Sequence, residues 1–320
     1  MSDLPHVDLS MVKAAHERIR PHIHRTPLAT SSTLDEQLDA SVVFKCENLQ
    51  KVGAFKARGA LNAVLSLAPE DAAAGVVTHS SGNHGAALAD AAARRGVPCA
   101  VVRPRTAPSV KIAAVRGYGA EIVPCDHSER ETACAAVSAE RGSVIVHPYN
   151  DRAVISGQGT AALELIEDVP DLDVVVAPIG GGGLLSGTSV AVRTLLPRAR
   201  LIGAEPEAVD DAARSLAGGV LLPGVEHPDT VADGLQTGLG TLTFDILSTA
   251  GVEVVTVTED AIVEAALFHL NRMKLVVEPS GATSLAALRA AAPELRGKRV
   301  GVIVSGGNTD FRWMAGLAGT

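Results

Sequence analysis

Several features are scarce in this 320-residue sequence, and each scarcity excludes a class of protein. Aromatic residues make up only 2% of the chain, so alanine, valine, leucine and isoleucine must fill its core. No long run of lysine or arginine occurs, and the formal net charge is −8, so a nucleic-acid surface is not expected. No stretch reaches the ~18 uninterrupted apolar residues that a membrane-spanning helix needs. We therefore expect neither a nucleic acid nor a membrane as a partner.

The given sequence shows neither the pattern of a signal peptide nor cysteines at paired spacing. The N-terminal residues MSDLPHVDLS lack the basic-then-apolar pattern of a signal peptide, so we expect a cytoplasmic protein. The cysteines show no CxxC spacing, and we expect reduced, mostly buried thiols rather than a metal or redox site. The four are Cys46, Cys99, Cys125 and Cys134. With 47% hydrophobic and 20% charged residues, the composition is that of a globular protein.

The order of patterns along the chain predicts an α/β fold with two sheets. Short β-branched runs such as GVVTHSS (75–81) and DVVVAPIG (173–180) alternate with alanine-rich helical stretches. We predict a strand over VVFKCENLQ (42–50), a strand over SVIVHPY (143–149) and helices over SVKIAAVRGYG (109–119) and EDAIVEAALFHLNRM (259–273). The N-terminal part has no sheet of its own, so it should join the C-terminal part. We expect a discontinuous large domain, residues 1–70 and 150–320, around a small domain, residues 71–149, with the site in the cleft between them.

Four consecutive glycines, Gly180–Gly183, stand between a predicted buried strand and a helix. Only glycine lets consecutive backbone N–H groups turn toward one anion without interference from Cβ atoms, and the helix N-terminus adds positive potential. The pattern predicts a phosphate-binding loop. Leu185 stands where a GxGxxG dinucleotide motif needs glycine, and the lysine of an ATP-binding P-loop is missing. A merely flexible turn is disfavoured because four glycines cost much backbone entropy.

Lys56 is a candidate nucleophile just before a predicted helix. A reactive lysine needs a lowered pKa, which burial or a neighbouring cation supplies. Phe55 and Ala54 give it an apolar flank, and Arg58 is expected to add positive potential. Position alone selects nothing, because Lys45 and Lys51 lie nearby.

Together the motifs resemble fold-type II pyridoxal-phosphate enzymes, the tryptophan synthase β-like group, and within them the serine racemase and serine/threonine dehydratase branch. The resemblance runs from about His24 to Asp310, and its specificity comes from eleven blocks in the correct order. The blocks are HRTPL (24–28), FKCENLQ (44–50), GAFKARGA (53–60), SSGNHGAALA (80–89), HPYND (147–151), SGQGTAALEL (156–165), GGGGL (180–184), GAEP (203–206), VADGL (231–235), VEPSGA (277–282) and SGGNTD (305–310). The family usually has serine where this chain has Ala54, which removes one hydrogen bond near the phosphate.

The resemblance implies a role for each matching residue. Lys56 would bind the cofactor covalently, with Phe55 beside the ring, while Gly180, Gly181, Gly182, Gly183 and Leu184 would bind its phosphate. Asn83 would hydrogen-bond the phenolic oxygen, and Ser305 would face the pyridine nitrogen. The loop Ser80, Ser81, Gly82, Asn83 and His84 would bind the substrate carboxylate. Asp151, Arg152 and Glu278 are further candidates for lining or bracing the cleft.

The implied reaction is β-elimination from a small β-hydroxy amino acid such as L-serine or L-threonine, which gives a 2-keto acid and ammonia. A neutral hydroxyl at Ser305 would not hold the pyridine nitrogen protonated, which favours elimination over reactions that need a long-lived carbanion. Ser81 has two open interpretations. It is either the acid/base on the face opposite Lys56, which would permit racemisation, or a hydroxyl that only binds carboxylate or caps a helix.

The resemblance also implies a divalent cation, Mg²⁺ or else Ca²⁺ or Mn²⁺, held by Glu205, the Val209 carbonyl and Asp211. The alternative for this acidic segment is a solvated helix start. A homodimer is implied by the family alone.

Other functions stay open at this stage. A threo-3-hydroxyaspartate ammonia-lyase has nearly the same motifs, but it needs an extra cation for the distal carboxylate, and the sequence does not locate one. A β-replacement enzyme fits the blocks less well. A non-catalytic pyridoxal-phosphate-binding protein is disfavoured by the presence of Lys56, Ser81 and Asn83 together, and an NAD oxidoreductase by the missing GxGxxG.

Overall fold

The structure is a computed structural model that describes residues 6–80, 82–105, 115–126 and 129–317, with residues 315–317 described by their backbone only. Within these described ranges, ten strands form two sheets. The strands are β1 (Leu28–Ala29), β2 (Ser41–Cys46), β3 (Val76–His79), β4 (Cys99–Pro104), β5 (Glu121–Cys125), β6 (Val144–Ile145), β7 (Val174–Pro178), β8 (Arg200–Pro206), β9 (Glu253–Val257) and β10 (Arg299–Val304).

Twelve α-helices of the described residues are named here in chain order. They are α1 (Leu9–Ile19), α2 (Ser32–Leu38), α3 (Lys56–Ser66), α4 (Pro69–Ala73), α5 (Asn83–Arg95), α6 (Arg130–Arg141), α7 (Arg152–Asp168), α8 (Gly183–Leu195), α9 (Asp211–Gly218), α10 (Thr241–Ala250), α11 (Glu259–Phe268) and α12 (Pro279–Ala290).

The larger sheet has the strand order β1-β2-β10-β7-β8-β9 and is parallel except for β1. Helices cover both of its faces, so its central strands are apolar throughout. Within β7, Val174 and Val176 face one buried cluster and Val175 and Ala177 face the other. This is why the run DVVVAPIG shows no alternation of polar and apolar residues.

The smaller sheet has the order β5-β4-β3-β6 and is entirely parallel. All of its strands lie between residues 76 and 145, whereas the N-terminal strands β1 and β2 join the larger sheet. The predicted α/β class with two open sheets is confirmed. The domain boundaries stay a prediction.

Three predicted elements differ in extent. The strand over VVFKCENLQ ends at Cys46, where Glu47–Leu49 turn into a 3-10 helix, and SVIVHPY contributes only two strand residues. The helix over EDAIVEAALFHLNRM changes at His269 into a π-helix that ends at Met273. The helix predicted over 109–119 lies partly outside the described residues. No described helix combines the length and apolar character that crossing a membrane would require.

Candidate active site

A cavity of about 170 Å³ opens between the two sheets. Its walls include residues at or just after the carboxyl ends of strands from both sheets, among them His79, Pro104, Pro178 and Ser305. In parallel sheets the connecting loops at this edge are where ligands bind. The predicted cleft site therefore corresponds to a real cavity.

Lys56 is the first residue of α3, and its side chain lines this cavity. Its Nζ donates a hydrogen bond to the carbonyl oxygen of Pro148 at 2.7 Å and lies 5.0 Å from the centre of the Phe55 ring. Burial lowers the pKa of Lys56 from its ordinary value of 10.5 to about 8. A larger fraction of Lys56 is therefore in the neutral amine form at neutral pH than is the case for an exposed lysine.

Arg58 does not supply this effect, contrary to the expectation from the sequence. Its guanidinium is fully buried and pairs with the carboxylates of Glu47 and Glu164, so its charge is compensated. Desolvation is the cause of the lowered pKa of Lys56.

The four glycines form a tight loop that leads into α8. Gly182 has a φ of +85°, which favours glycine, and it precedes the first residue of the helix. A Cβ on Gly181 would lie 2.3 Å from a ring carbon of Tyr149, and a Cβ on Gly183 would lie 2.9 Å from the Tyr149 Cβ. The loop lines the cavity with Leu184, and the N-terminal end of the 13-residue helix α8 supplies unpaired N–H groups. This geometry suits a phosphate group.

The predicted substrate loop lies at the N-terminus of α5. Ser80, Gly82, Asn83 and His84 all line the cavity, whereas Ser81 lies outside the described residues. The Gly82 amide donates to the Ser80 hydroxyl at 3.2 Å. His84 is buried, its Nε2 bonds the Val146 carbonyl at 3.1 Å, and burial moves its pKa well below the usual value. It is therefore a neutral side chain at neutral pH.

Asn83 and Ser305 line the cavity from opposite sheets, since Asn83 begins the helix after β3 and Ser305 directly follows β10. The Asn83 amide donates to the Glu278 carboxylate at 2.8 Å, which places Glu278 on the cavity wall as well. Ser305 is 3% exposed, and its carbonyl accepts the Phe55 amide at 2.9 Å. This backbone contact fixes the segment that carries Lys56 against the end of β10.

Asp151 and Arg152 do not appear on the described wall. Asp151 caps α7 by accepting the Val154 amide at 2.9 Å, and Arg152 lies 3.4 Å from the ring of His6.

The wall residues that sequence reasoning missed include His79, Arg130 and Tyr149. His79 and Tyr149 each pack edge-on against His147, with ring centres 5.2 Å and 4.6 Å apart. Burial lowers the pKa of His79 and lowers that of His147 to about 3, so this wall carries neutral rings. Arg130 begins α6 and brings a cation to the same cavity. His79 and Arg130 lie in none of the eleven blocks, and Tyr149 lies in the block HPYND (147–151) but had no assigned role there.

The predicted metal ligands Glu205 and Asp211 are both buried, at 1% and 3% exposure. The Glu205 carboxylate accepts the amides of Ala212 and Ala213 at 2.9 and 2.8 Å, and burial raises its pKa to about 8. Burial raises the pKa of Asp211 too. Two desolvated carboxylates are compatible with a cation, although no cluster of three or more such side chains occurs among the residues that the structure describes.

A buried amine and a glycine loop for phosphate in one cavity fit a phosphorylated aldehyde. The amine can bond the aldehyde carbon, and the loop can hold the phosphate by backbone N–H groups. Ser305 and Asn83 offer neutral hydrogen-bonding groups for the rest of the molecule. The residues present therefore fit pyridoxal phosphate.

Comparisons with known proteins agree with this interpretation of the geometry. The family model described as pyridoxal-phosphate dependent enzyme matches residues 19–306. A β-hydroxyaspartate dehydratase of Paracoccus denitrificans is 52% identical over 93% of this chain and 95% of its own length. The crystal structure of serine racemase from Dictyostelium discoideum superposes with a TM-score of 0.91 at 46% identity, covering 95% of this chain and 99% of that one. The crystal structure of a threonine deaminase from T.th. gives a TM-score of 0.91 at 44% identity, with the same coverage. The chain therefore belongs to the pyridoxal-phosphate dependent enzymes, with the fold-type II architecture of serine racemase and threonine deaminase.

Proposed function

We propose that this enzyme eliminates water and ammonia from a small β-hydroxy amino acid and yields a 2-keto acid. The observation that carries the proposal is that Lys56, an amine with a lowered pKa, lines the same cavity as the phosphate loop. The relatives add support, because they include a dehydratase, a serine racemase and a threonine deaminase.

The cofactor, when bound, supplies an electron sink that acidifies the Cα–H bond of the substrate amino acid. The backbone N–H groups at the start of α5 and the Ser80 hydroxyl would hold the substrate carboxylate, which orients Cα toward Lys56. Lys56 Nζ would then accept the Cα proton. The lowered pKa of this amine keeps a useful fraction of it in the base form at neutral pH.

Ser305 would contribute to the choice of reaction. A buried hydroxyl at the end of β10 is neutral, so it cannot stabilise a protonated pyridine nitrogen as a carboxylate would. Asn83 would hold the phenolic oxygen, with its amide oriented by Glu278. This neutral environment favours prompt loss of the β-hydroxyl. Ser81 would be the acid/base on the opposite face and would add racemase activity.

A substrate panel tests the proposal. L-serine, D-serine, L-threonine and L-threo-3-hydroxyaspartate are scored for keto acid and for inverted stereochemistry, with Lys56→Ala as the inactive control. We expect keto acid from at least one L-substrate and none with the variant. Absence of keto acid from all four substrates in cofactor-loaded enzyme would refute the elimination chemistry.

A second candidate substrate, β-hydroxyaspartate, is favoured by Arg130. Its distal carboxylate needs a cation, and the cavity wall provides this arginine. The dehydratase from Paracoccus denitrificans supports the same choice. Arg130→Met should lower kcat/KM for L-threo-3-hydroxyaspartate by at least ~30-fold, as loss of a charged hydrogen bond costs about 2 kcal/mol or more, and should affect L-serine far less. Arg105→Met, which removes an exposed arginine bonded to Asp126, is the matched control. Equal losses for both substrates would remove Arg130 from distal-carboxylate recognition.

Three further features belong to the proposal. Glu205, the Val209 carbonyl and Asp211 would hold Mg²⁺, with Ca²⁺ or Mn²⁺ as the alternatives, and the ion would relieve the desolvated carboxylates. The enzyme would act as a homodimer in the cytoplasm. The two sheets would belong to domains divided near residues 70 and 150.

A further inference from the structure

A buried cluster of charged side chains lies beside α3, the helix that begins at Lys56. The Arg58 cluster, as we name it, joins strand β2, the turn after it, and helices α3 and α7. Its members are Lys45, Glu47, Arg58, Thr160 and Glu164. All five are at most 1% exposed, and the two cations balance the two carboxylates.

Every N–H of the Arg58 guanidinium has an acceptor. Nε and Nη2 donate to the Glu47 carboxylate at 2.7 and 2.8 Å, and Nη1 and Nη2 donate to the Glu164 carboxylate at 2.8 Å each. The fifth bond runs from Nη1 to the Thr160 hydroxyl at 3.1 Å. Lys45 completes the network through Glu164 at 2.7 Å and the Thr26 carbonyl at 2.8 Å. A planar five-donor group held in this way has one position only.

The location of Arg58 makes this rigidity relevant to the active site. Arg58 is the third residue of α3 and shares its first turn with Lys56. That turn has no side-chain cap and no acidic residue, and a helix N-terminus repels cations. Its two cations therefore need compensation from elsewhere, and for Arg58 the carboxylates of Glu47 and Glu164 provide it.

Close backbone contacts extend the same connection to the phosphate loop. A Cβ on Gly157 of α7 would lie 2.6 Å from the Gly59 Cα of α3. Further along α7, a Cβ on Gly187 of α8 would meet the Gly159 backbone nitrogen at 2.4 Å. Helix α7 thus sets the separation between the helix that carries Lys56 and the helix that begins at the glycine loop.

We propose that the Arg58 cluster is a positioning device that holds the amine of Lys56 at a fixed place opposite the phosphate loop without adding net charge beside it. This inference rests on the proposed role of Lys56. Arg58 is fully buried and is not among the residues that line the cavity, so it would act only through α3.

The surroundings of Lys56 are consistent with a cluster that adds no net charge beside the amine. Burial is the cause that lowers the pKa of this amine. The titratable groups near it on other elements include His79, His84 and His147, together with Arg130, Tyr149, Asp233 and Glu278 on the cavity wall. Burial lowers the pKa of each of the three histidines, so these rings are neutral.

The test uses the full-length chain, freed of cofactor, and compares its binding of two phosphorylated ligands. Pyridoxal phosphate reports the position of Lys56 through the rate at which the visible band of the covalent form appears. Pyridoxine 5′-phosphate, an alcohol that cannot bond to lysine, reports the phosphate loop and the general fold through its Kd. Arg58→Lys keeps the charge and removes the planar fork. Thr160→Val removes one hydroxyl at nearly constant volume, and Arg200→Lys perturbs an exposed pair of ion bridges as the control.

We expect Arg58→Lys to slow covalent attachment by roughly tenfold or more, and Thr160→Val to slow it a few-fold, because small displacements of a reacting group cost large factors. The Kd of pyridoxine 5′-phosphate should stay within about twofold, and Arg200→Lys should change neither quantity. Parallel changes of rate and Kd would overturn the proposal, because they indicate a general structural role. Should Arg58→Lys fail to fold, an unchanged rate in Thr160→Val would overturn it. Attachment to another lysine in the unsubstituted protein would instead refute the role of Lys56 itself.

Discussion

Replacing Gly181 by alanine should weaken the binding of pyridoxal phosphate because of a steric clash with the ring of Tyr149. The added Cβ would lie 2.3, 2.4 and 2.5 Å from three carbons of the Tyr149 ring, where about 3.5–4.0 Å is normal for carbon atoms. The ring has little room to move. It packs edge-on against His147 at 4.6 Å, and its Cβ would already touch any Cβ on Gly183 at 2.9 Å.

The magnitude follows from the cost of overpacking. A forced shift in a well-packed region costs about 1–3 kcal/mol. If the loop deforms to relieve it, the Kd for pyridoxal phosphate rises by roughly 5- to 150-fold, since about 1.4 kcal/mol corresponds to a factor of ten. Fluorescence titration of cofactor-free protein measures this Kd directly.

A double-mutant cycle identifies the contact. Tyr149→Ala removes the obstructing ring, so adding it to Gly181→Ala should recover much of the lost affinity. Gly218→Ala is the matched control, because a Cβ there meets no atom within 4 Å. An unchanged Kd in Gly181→Ala, or strictly additive effects in the cycle, would refute the packing argument.

The amine of Lys56, the hydroxyl of Ser81 and the carboxylate of Glu205 can each be tested separately. Covalent attachment of the cofactor should accelerate as the pH rises through about 8, because only the neutral form of Lys56 attacks the aldehyde, and stopped-flow absorbance over a pH series measures this; a rate that is flat through that range contradicts the lowered pKa. Ser81→Ala should abolish racemisation and spare elimination from L-serine, as a chiral assay of the residual serine together with a keto-acid assay would show. Equal loss of both activities would contradict the role of Ser81 as the acid/base opposite Lys56. Removing divalent cations with EDTA should lower the melting temperature of the unsubstituted protein, and added Mg²⁺ should restore it. In Glu205→Gln, added Mg²⁺ should not raise the melting temperature. A melting temperature that neither EDTA nor Mg²⁺ changes in the unsubstituted protein would refute the metal site.

The parts of the site that the sequence predicted are local in the chain. A glycine run between a buried strand and a helix has few uses besides anion binding, and this loop together with Lys56 and Ser305 lines one cavity as expected. The α/β class followed from buried runs such as 173–180, whose lack of alternation reflects a sheet covered on both faces.

The parts that the sequence did not predict depend on distant residues. Arg58 was expected to add positive potential beside Lys56, but its charge is paired with Glu164, which is 106 residues away, and no local pattern indicates the pairing. Arg130 reaches the cavity from a helix start that carries no motif, and Tyr149 reaches it from the block HPYND, where it had no assigned role. The strand over VVFKCENLQ ends early because Glu47 turns inward to meet Arg58 and Thr26.

Hydride trapping tests the central claim most directly. The purified protein is loaded with pyridoxal phosphate, reduced with borohydride, digested and mapped by mass spectrometry. A single phosphopyridoxyl adduct is expected on the peptide that contains Lys56, with loss of the visible absorbance band on reduction. An adduct on Lys45, Lys51 or any other lysine, or a protein that stays colourless with excess cofactor, would contradict this expectation.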